Sequence, residues 1–544
     1  MLSRLHAVAL WLLRPGILAS FFGAVLAAGI AFLMTTGAEA PANPAQGKRF
    51  DAPELVGGTD WLNTEKPIKL ADLKGRIVVL DFWTLCCINC IHTLPDLARL
   101  EARYPNVLVV IGVHSPKFEN EKKTSSIFKA ILRYEITHPV VNDADHKIWD
   151  AYGVRSWPTL GLIDPEGKIV RGYSGEGNYD LLVRDIEKLI KDHKEKKTLV
   201  ETPISFKLAK EKEVPPIYFP GKVLADAASK RIFIADSTYH SIVITNLEGK
   251  KIAIVGSGKE GLKDGKFADA QFSDPQGMVL DGEILYVADR KNHAIRAIDL
   301  KKETVKLVAG TGEQDRYGRG EGGDALKTGL NSPWDLLLFE GKIYVAMAGH
   351  HQIWGFDPAQ SRVYPYAGNG REQLVDGPLS TSSFAQPSGL ATDGKRLFVA
   401  DSEISAIRSL PLPGVKGNVI TIVGEGLFEF GDVNGKGDKV RLQHALGVAY
   451  LDGKLYVADT YNSKIKIIDP AQRTCDTYLG DPPGWLKAKM FDEPGGVSIS
   501  GGKMYIADTN NHRIQVVDMK TKDVSTLKLE GVDPVRRDTK VEKK

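Results

Sequence analysis

Asp81-Phe82-Trp83-Thr84-Leu85-Cys86-Cys87-Ile88-Asn89-Cys90 reads as a strand that runs into a turn, and the turn opens a helix. The run Ile77–Trp83 is apolar and β-rich except at Asp81, as expected of a buried strand. Residues 88–104 then carry apolar side chains at helical spacing. Cys87 falls at the helix N-terminus, and Cys90 follows one turn later on the same face. Dithiol chemistry needs this arrangement. Free N–H groups and the helix dipole favour a thiolate on the first cysteine. That thiolate attacks a disulfide, and the second cysteine resolves the mixed disulfide. Two buried structural cysteines are the bland alternative, and a CxxC at a strand–helix junction speaks against it.

Two features further along support the redox reading. Asp81 lies six residues before Cys87 among apolar neighbours, so its carboxyl is expected to be buried, hard to ionise and able to exchange a proton with Cys90. Trp157-Pro158-Thr159 precedes another apolar strand, and Pro158 is a candidate for a cis peptide bond. Around these residues, between about 48 and 194, strands alternate with helices. Strands are expected at 107–113, 159–163 and 168–173, the last two joined by Asp164-Pro165-Glu166-Gly167, with helices at 117–134 and 179–193. The alternation predicts an α/β sheet covered by helices.

After residue 214 helical patterns vanish and a repeat begins. Six apolar runs end in Ala-Asp or its equivalent, at Asp236, Asp289, Met347, Asp401, Asp459 and Asp508. Six residues after each stands an isoleucine, and twelve residues before stand Gly277, Gly389, Gly447 and Gly496 in four of the copies. Periods of this length with about four short strands apiece predict a six-bladed β-propeller. Its closure is expected to pair residues 204–208 or 222–224 with the last blade, around 517–529. Repetition disarms two decoys. Gly-x-Gly recurs at blade ends with no helix following, so it marks turns rather than a nucleotide site. His240, His293, His351 and His512 recur four residues past the Asp position, which suits a structural turn residue better than a metal ligand. No metal and no cofactor is expected.

The remaining composition bounds the function. Of 544 residues 43% are hydrophobic, enough for two or three full cores. The net charge of +3 leaves no field to recruit nucleic acid. Of four cysteines, Cys86, Cys87 and Cys90 cluster, which fits neither a disulfide framework nor a zinc site. Cys475 reads as structural. Residues 16–34 carry no charge and follow Arg4 and Arg14, the pattern of a signal-anchor. A single-pass protein of the cell membrane is therefore expected, with its domains on the periplasmic side. The alternative is secretion into the periplasm after cleavage near Ala40.

Residues 48–194 resemble the TlpA-like thioredoxins, through Asp-Phe-Trp before the CxxC, the CxxC itself, Trp-Pro-Thr and Asp-Pro-Glu-Gly. Residues 219–528 resemble NHL repeats. The combination, with Cys-Cys-Ile-Asn-Cys as its redox motif, is similar to the family of NHL-repeat-containing protein two and its bacterial relatives. The resemblance implies Cys87 as attacking cysteine, Cys90 as resolving cysteine, Asp81 as buried proton acceptor and Pro158 as the cis-proline facing the disulfide. Trp83, Cys86, Trp157 and Thr159 would form the docking surface beside the dithiol. Ile88-Asn89 departs from the usual Gly-Pro, and Cys86 stands where tryptophan is usual.

The expected organisation is an N-terminal membrane segment (1–40), a spacer (41–47), an α/β thioredoxin fold (48–194), a linker (195–214), an all-β propeller (215–530) and a charged tail (531–544). The expected function is a membrane-tethered thiol–disulfide oxidoreductase whose partners are a protein disulfide or dithiol and a thiol electron donor or acceptor, with the propeller recognising the protein. The alternative is a propeller-based scaffold whose thioredoxin-like domain docks or senses. A propeller-based metal lyase or hydrolase ranks last.

Overall fold

The computed structural model describes residues 50–211, 213–316, 321–481 and 490–534. The expected membrane segment and spacer lie outside the described residues, as does most of the charged tail.

The first domain is built on β1 (Asp60–Leu62), β2 (Ile77–Trp83), β3 (Leu108–His114), β4 (Val140–Asn142), β5 (Thr159–Ile163) and β6 (Ile169–Ser174). The sheet order is β1-β4-β3-β2-β5-β6, so β2 is central, parallel to β3 and antiparallel to β5. Every residue of β2 and β3 is buried, which explains their unbroken apolar runs. Helices α1 (Ile88–Arg103) and α4 (Tyr179–Glu195) cover one face through Leu97, Leu100, Leu182, Ile186 and Leu189. Two shorter helices, α2 (Thr124–Arg133) and α3 (Lys147–Ala151), complete the domain.

The helix expected across 117–134 is broken. A 3-10 turn covers Glu119–Lys122, Lys123 is extended, and α2 starts after it. The cause is Glu121, whose buried carboxylate turns inward and accepts hydrogen bonds from the backbone of Lys117 and Phe118. Residues 202–211 run along the first domain. Ile204 and Phe206 pack on its core, and the backbone N–H of Ala209 donates to Asn63.

Six antiparallel sheets of four or five strands follow, between residues 220–255, 265–309, 323–367, 387–423, 435–479 and 494–526. The recurring aspartate ends the second strand of its blade. Its carboxylate accepts a backbone N–H just ahead of that blade's innermost strand: Tyr218 on Asp236, Ser273 on Asp289, Ala385 on Asp401, Gln443 on Asp459 and Asp492 on Asp508, all at 2.7 Å. The recurring histidines reach one blade further. Each sits at φ near +50° at the end of a turn, a 3-10 turn in all but the first blade, and accepts a backbone N–H of the next blade: Asp274 to His240, Ser332 to His293 and Gln386 to His351. His512 of the last blade does the same for Phe219 of the first, at 3.1 Å. These histidines are rivets between blades.

The repeated glycines line the axis. A Cβ on Gly447 would stand 3.0 Å from the Cα of Gly496, and one on Gly277 only 2.4 Å from the Cα of Asp335. Lys222 from the first blade crosses the axis, with Nζ 3.5 Å from Asp335 and 2.8 Å from the carbonyl of Ser388. Lys222 is buried and Asp335 mostly so.

Ring closure differs from expectation. Residues 220–226 pair within the first blade, and the last blade supplies its own four strands. Instead the chain after the last blade reaches back, where Lys251 N–H donates to the Glu530 carbonyl and Glu530 N–H to that of Gly249. Leu527 and Val532 are buried with Ile217 and Val223. The C-terminal end can run on past the last strand, whereas the N-terminal candidates are already used elsewhere.

Candidate functional site

The end of β2, the following turn and the start of α1 bring the expected residues together. Cys87 is the N-cap of α1, with extended backbone (φ −75°, ψ 116°). Its Sγ accepts the N–H of Cys90 at 3.4 Å, one of the donors that a helix start leaves unpaired. Cys87 is half-buried and Cys90 wholly buried, and both are free thiols. Burial and the neighbouring Cys87 sulfur push the Cys90 thiol well up. Below them Asp81 is fully buried, and neither carboxylate oxygen has a hydrogen-bond partner. Burial raises its pKa to about 7, with the charge of His138 opposing the shift.

The turn between β2 and α1 is fixed by Glu121. Its carboxylate accepts the N–H of Cys86 at 2.9 Å and the hydroxyl of Thr84 at 2.6 Å. The Trp157–Pro158 peptide bond is cis. Trp157 donates its indole N–H to the Ser115 carbonyl and packs on Trp149, and Thr159 donates its hydroxyl to the Ser156 carbonyl.

Two members of the expected docking surface are not on a surface. Trp83 is fully buried with its ring edge-on to His114. Cys86 is buried against the propeller, where its thiol donates to Glu403 at 3.5 Å. For Cys86 the physical reason is that the propeller covers the redox turn, whereas Trp83 points into the core of its own domain. Gln386 of the fourth blade grips the backbone on both sides of Cys87: its Oε1 accepts the N–H of Ile88 and its Nε2 donates to the carbonyl of Cys86, both at 2.9 Å. Ile88 itself packs with Trp334, Ala348 and Leu446. Around this contact Lys117 pairs with Glu403 at 2.8 Å, Arg133 with Glu493 at 2.7 Å, and His92 bridges Glu176 and Ser332.

None of these propeller residues was singled out from the sequence. A signal was available. Gln386, Glu493 and Ser332 each precede a proline, at Pro387, Pro494 and Pro333, two residues before the axial position. All three have φ near +50° to +60°, so the same position of several blades turns towards the redox domain.

Residues 75–169 match the family described as thioredoxin-like, and residues 491–517 match the NHL repeat. Across 490 residues the chain is 42% identical to human NHL repeat-containing protein 2, covering 82% of this chain and 67% of that one. The chain belongs to this family. The chain is also similar to the protein SUPPRESSOR OF QUENCHING 1, chloroplastic, of Arabidopsis thaliana, 41% identical over 82% of this chain and 44% of that one. The chain thus spans about half to two thirds of these relatives. The redox domain alone is 33% identical to the thiol-disulfide oxidoreductase ResA of Bacillus subtilis, over 23% of this chain and 68% of that one.

Kinship within the NHL repeat-containing protein 2 family corrects the expected localisation. One close relative is named as chloroplastic and the others come from vertebrates, so a single-pass protein of a cell membrane facing a periplasm is not what the family shows. Among the described residues no helix is long and apolar enough to cross a membrane. Residues 16–34, on which that expectation rested, lie outside them.

Proposed function

We propose that the chain is a thiol–disulfide oxidoreductase in which Cys87 attacks, Cys90 resolves and Asp81 takes the proton of Cys90. The observation that carries this reading is the Cys87 sulfur at the helix N-cap, accepting the Cys90 N–H, with an unpaired buried carboxyl beneath the pair. The likeness of the domain to a thiol-disulfide oxidoreductase supports the same chemistry. Pro158, Trp157 and Thr159 are the candidate contacts for the substrate backbone. The substrate is a protein disulfide or dithiol, and the propeller selects it.

One observation favours a second reading, a scaffold with an idle dithiol: the propeller covers the redox turn, and Cys90 has no exposed surface. Titration in glutathione buffers separates the two. A two-electron transition that disappears in Cys87→Ser and Cys90→Ser supports exchange, and a pair that never oxidises supports the scaffold.

A further inference from the structure

Asp81 needs a path for its proton, and burial denies it direct access to water. In the parallel pairing of β2 with β3, Asp81 stands opposite Gly112. A side chain on Gly112 would therefore lie on Asp81's face of the sheet, and Trp83, two residues on, shares that face. A Cβ there would stand 3.0 Å from the indole nitrogen of Trp83 and 3.6 Å from Nε2 of His138. The glycine keeps a small space open, bordered by Nε1 of Trp83 and Nε2 of His138, neither of which has a hydrogen-bond partner. Asp81, whose two oxygens also lack partners, stands on the same face of the sheet and within electrostatic reach of His138. His138 is held firmly. Its carbonyl and that of Ile136 accept the amide of Asn63, and the next residue's carbonyl accepts the N–H of Gly112. The other ring nitrogen of His138 faces outward, 3.3 Å from Glu101 of α1. Glu101 and His138 both line a groove of about 220 Å³ between α1 and the propeller.

We infer that His138 relays the proton of Asp81, through Glu101, to this groove. The inference rests on the exchange reading above. His138 touches neither sulfur, so it is a positioning residue acting through Asp81. The groups that face it are Asp81 and Trp83 from β2 and Glu101 from α1, with Arg133 and Glu135 lining the same groove.

The step balances as follows. Cys90 gives its proton to Asp81 and attacks the Cys87 sulfur of the mixed disulfide. The Cys87–Cys90 bond forms, the bond from Cys87 to the substrate sulfur breaks, and the electron pair of that bond leaves with the departing thiolate, which takes a proton from water; over attack and resolution together the dithiol gives two electrons to the substrate disulfide. The proton on Asp81 passes to His138 and then to Glu101, which releases it to water in the groove.

Ellman's disulfide reads both halves on the full chain. Attack by Cys87 releases one nitrothiolate, and resolution by Cys90 releases a second. In His138→Ala the first phase is expected to be unchanged, and the second to slow about tenfold or more. Added imidazole restores it. Glu101→Gln and His138→Gln slow the same phase, without rescue in the latter. If the wild type releases no second nitrothiolate, the exchange reading itself fails. If it does and the second phase is unchanged in both His138 variants, the relay is overturned. A slowing that imidazole does not restore and Glu101→Gln does not share also overturns it.

Discussion

Asp81 couples the redox site to stability. The native state holds its proton up to about pH 7, whereas the unfolded chain releases it near 3.8. The native state therefore binds more protons between those values, and stability falls as pH rises through this window. The difference corresponds to on the order of 4 kcal/mol once Asp81 is ionised. Asp81→Asn is expected to match the wild type near pH 4 and to be more stable by a few kcal/mol at pH 8, measured by urea unfolding; equal stability at both would show that the carboxyl is not buried. The choice between adjacent cysteines is also decided at this scale. Cys87 caps the helix, while Cys86 faces Glu403 and is pushed well up by burial and nearby carboxylates. Cys86→Ser should keep most exchange activity, Cys87→Ser should lose it, and Cys90→Ser should accumulate mixed disulfides whose tryptic peptides map to Cys87. An adduct on Cys86 would reverse the assignment. Asp81, Cys87 and Cys90 were legible because a lone carboxylate in an apolar strand and a CxxC at its end are local patterns. Gln386 and Glu403 were not, because they reach the site across some 300 residues of chain and only the fold brings them there.

Elements explain why the site is covered. The start of α1 presents Ile88 to an apolar nook, and the two hydrogen bonds of Gln386 hold it there. Ile88→Asp places a charge in that nook and should loosen the contact. Alkylation of Cys87 by iodoacetamide is then expected to speed up at least severalfold over the wild type. An unchanged rate would mean that the propeller does not limit access. Four strands of the first domain's sheet were legible as apolar runs and the six blades as a repeat, whereas β1 and β4, three residues each, were too short to leave a pattern. The break before α2 was not. Residues 117–134 keep helical periodicity across Lys123, and only the inward turn of Glu121, set by the backbone it has to satisfy, stops the helix. The recurring histidines are turn residues, as their repeat position suggests, but a sequence repeat does not show that each side chain reaches the neighbouring blade.

At the scale of the whole chain, the ring is closed by a rivet and a latch. His512 binds Phe219, and residues 527–532 lie against the first blade. Truncation after Thr526 removes the latch but leaves all six blades. It should lower the melting temperature and increase aggregation, because it uncovers Ile217 and Val223 and the edge around Lys251. A truncated chain that melts like the full one would make the latch dispensable. The axis has its own consequence. Six near-equivalent blades could in principle be counted from any starting point, like the hours on an unmarked dial. Lys222 and Asp335 mark the dial. They stand at corresponding positions of the first and third blades, where other copies carry glycine, and their charges meet across the centre. Any assembly that omits, swaps or shifts a blade between them would part the buried Lys222 ammonium from its carboxylate, at a cost of several kcal/mol. A feature of two side chains thus gives a repetitive ring a unique order, and with it a fixed blade, the fourth, to present Gln386 to the redox turn.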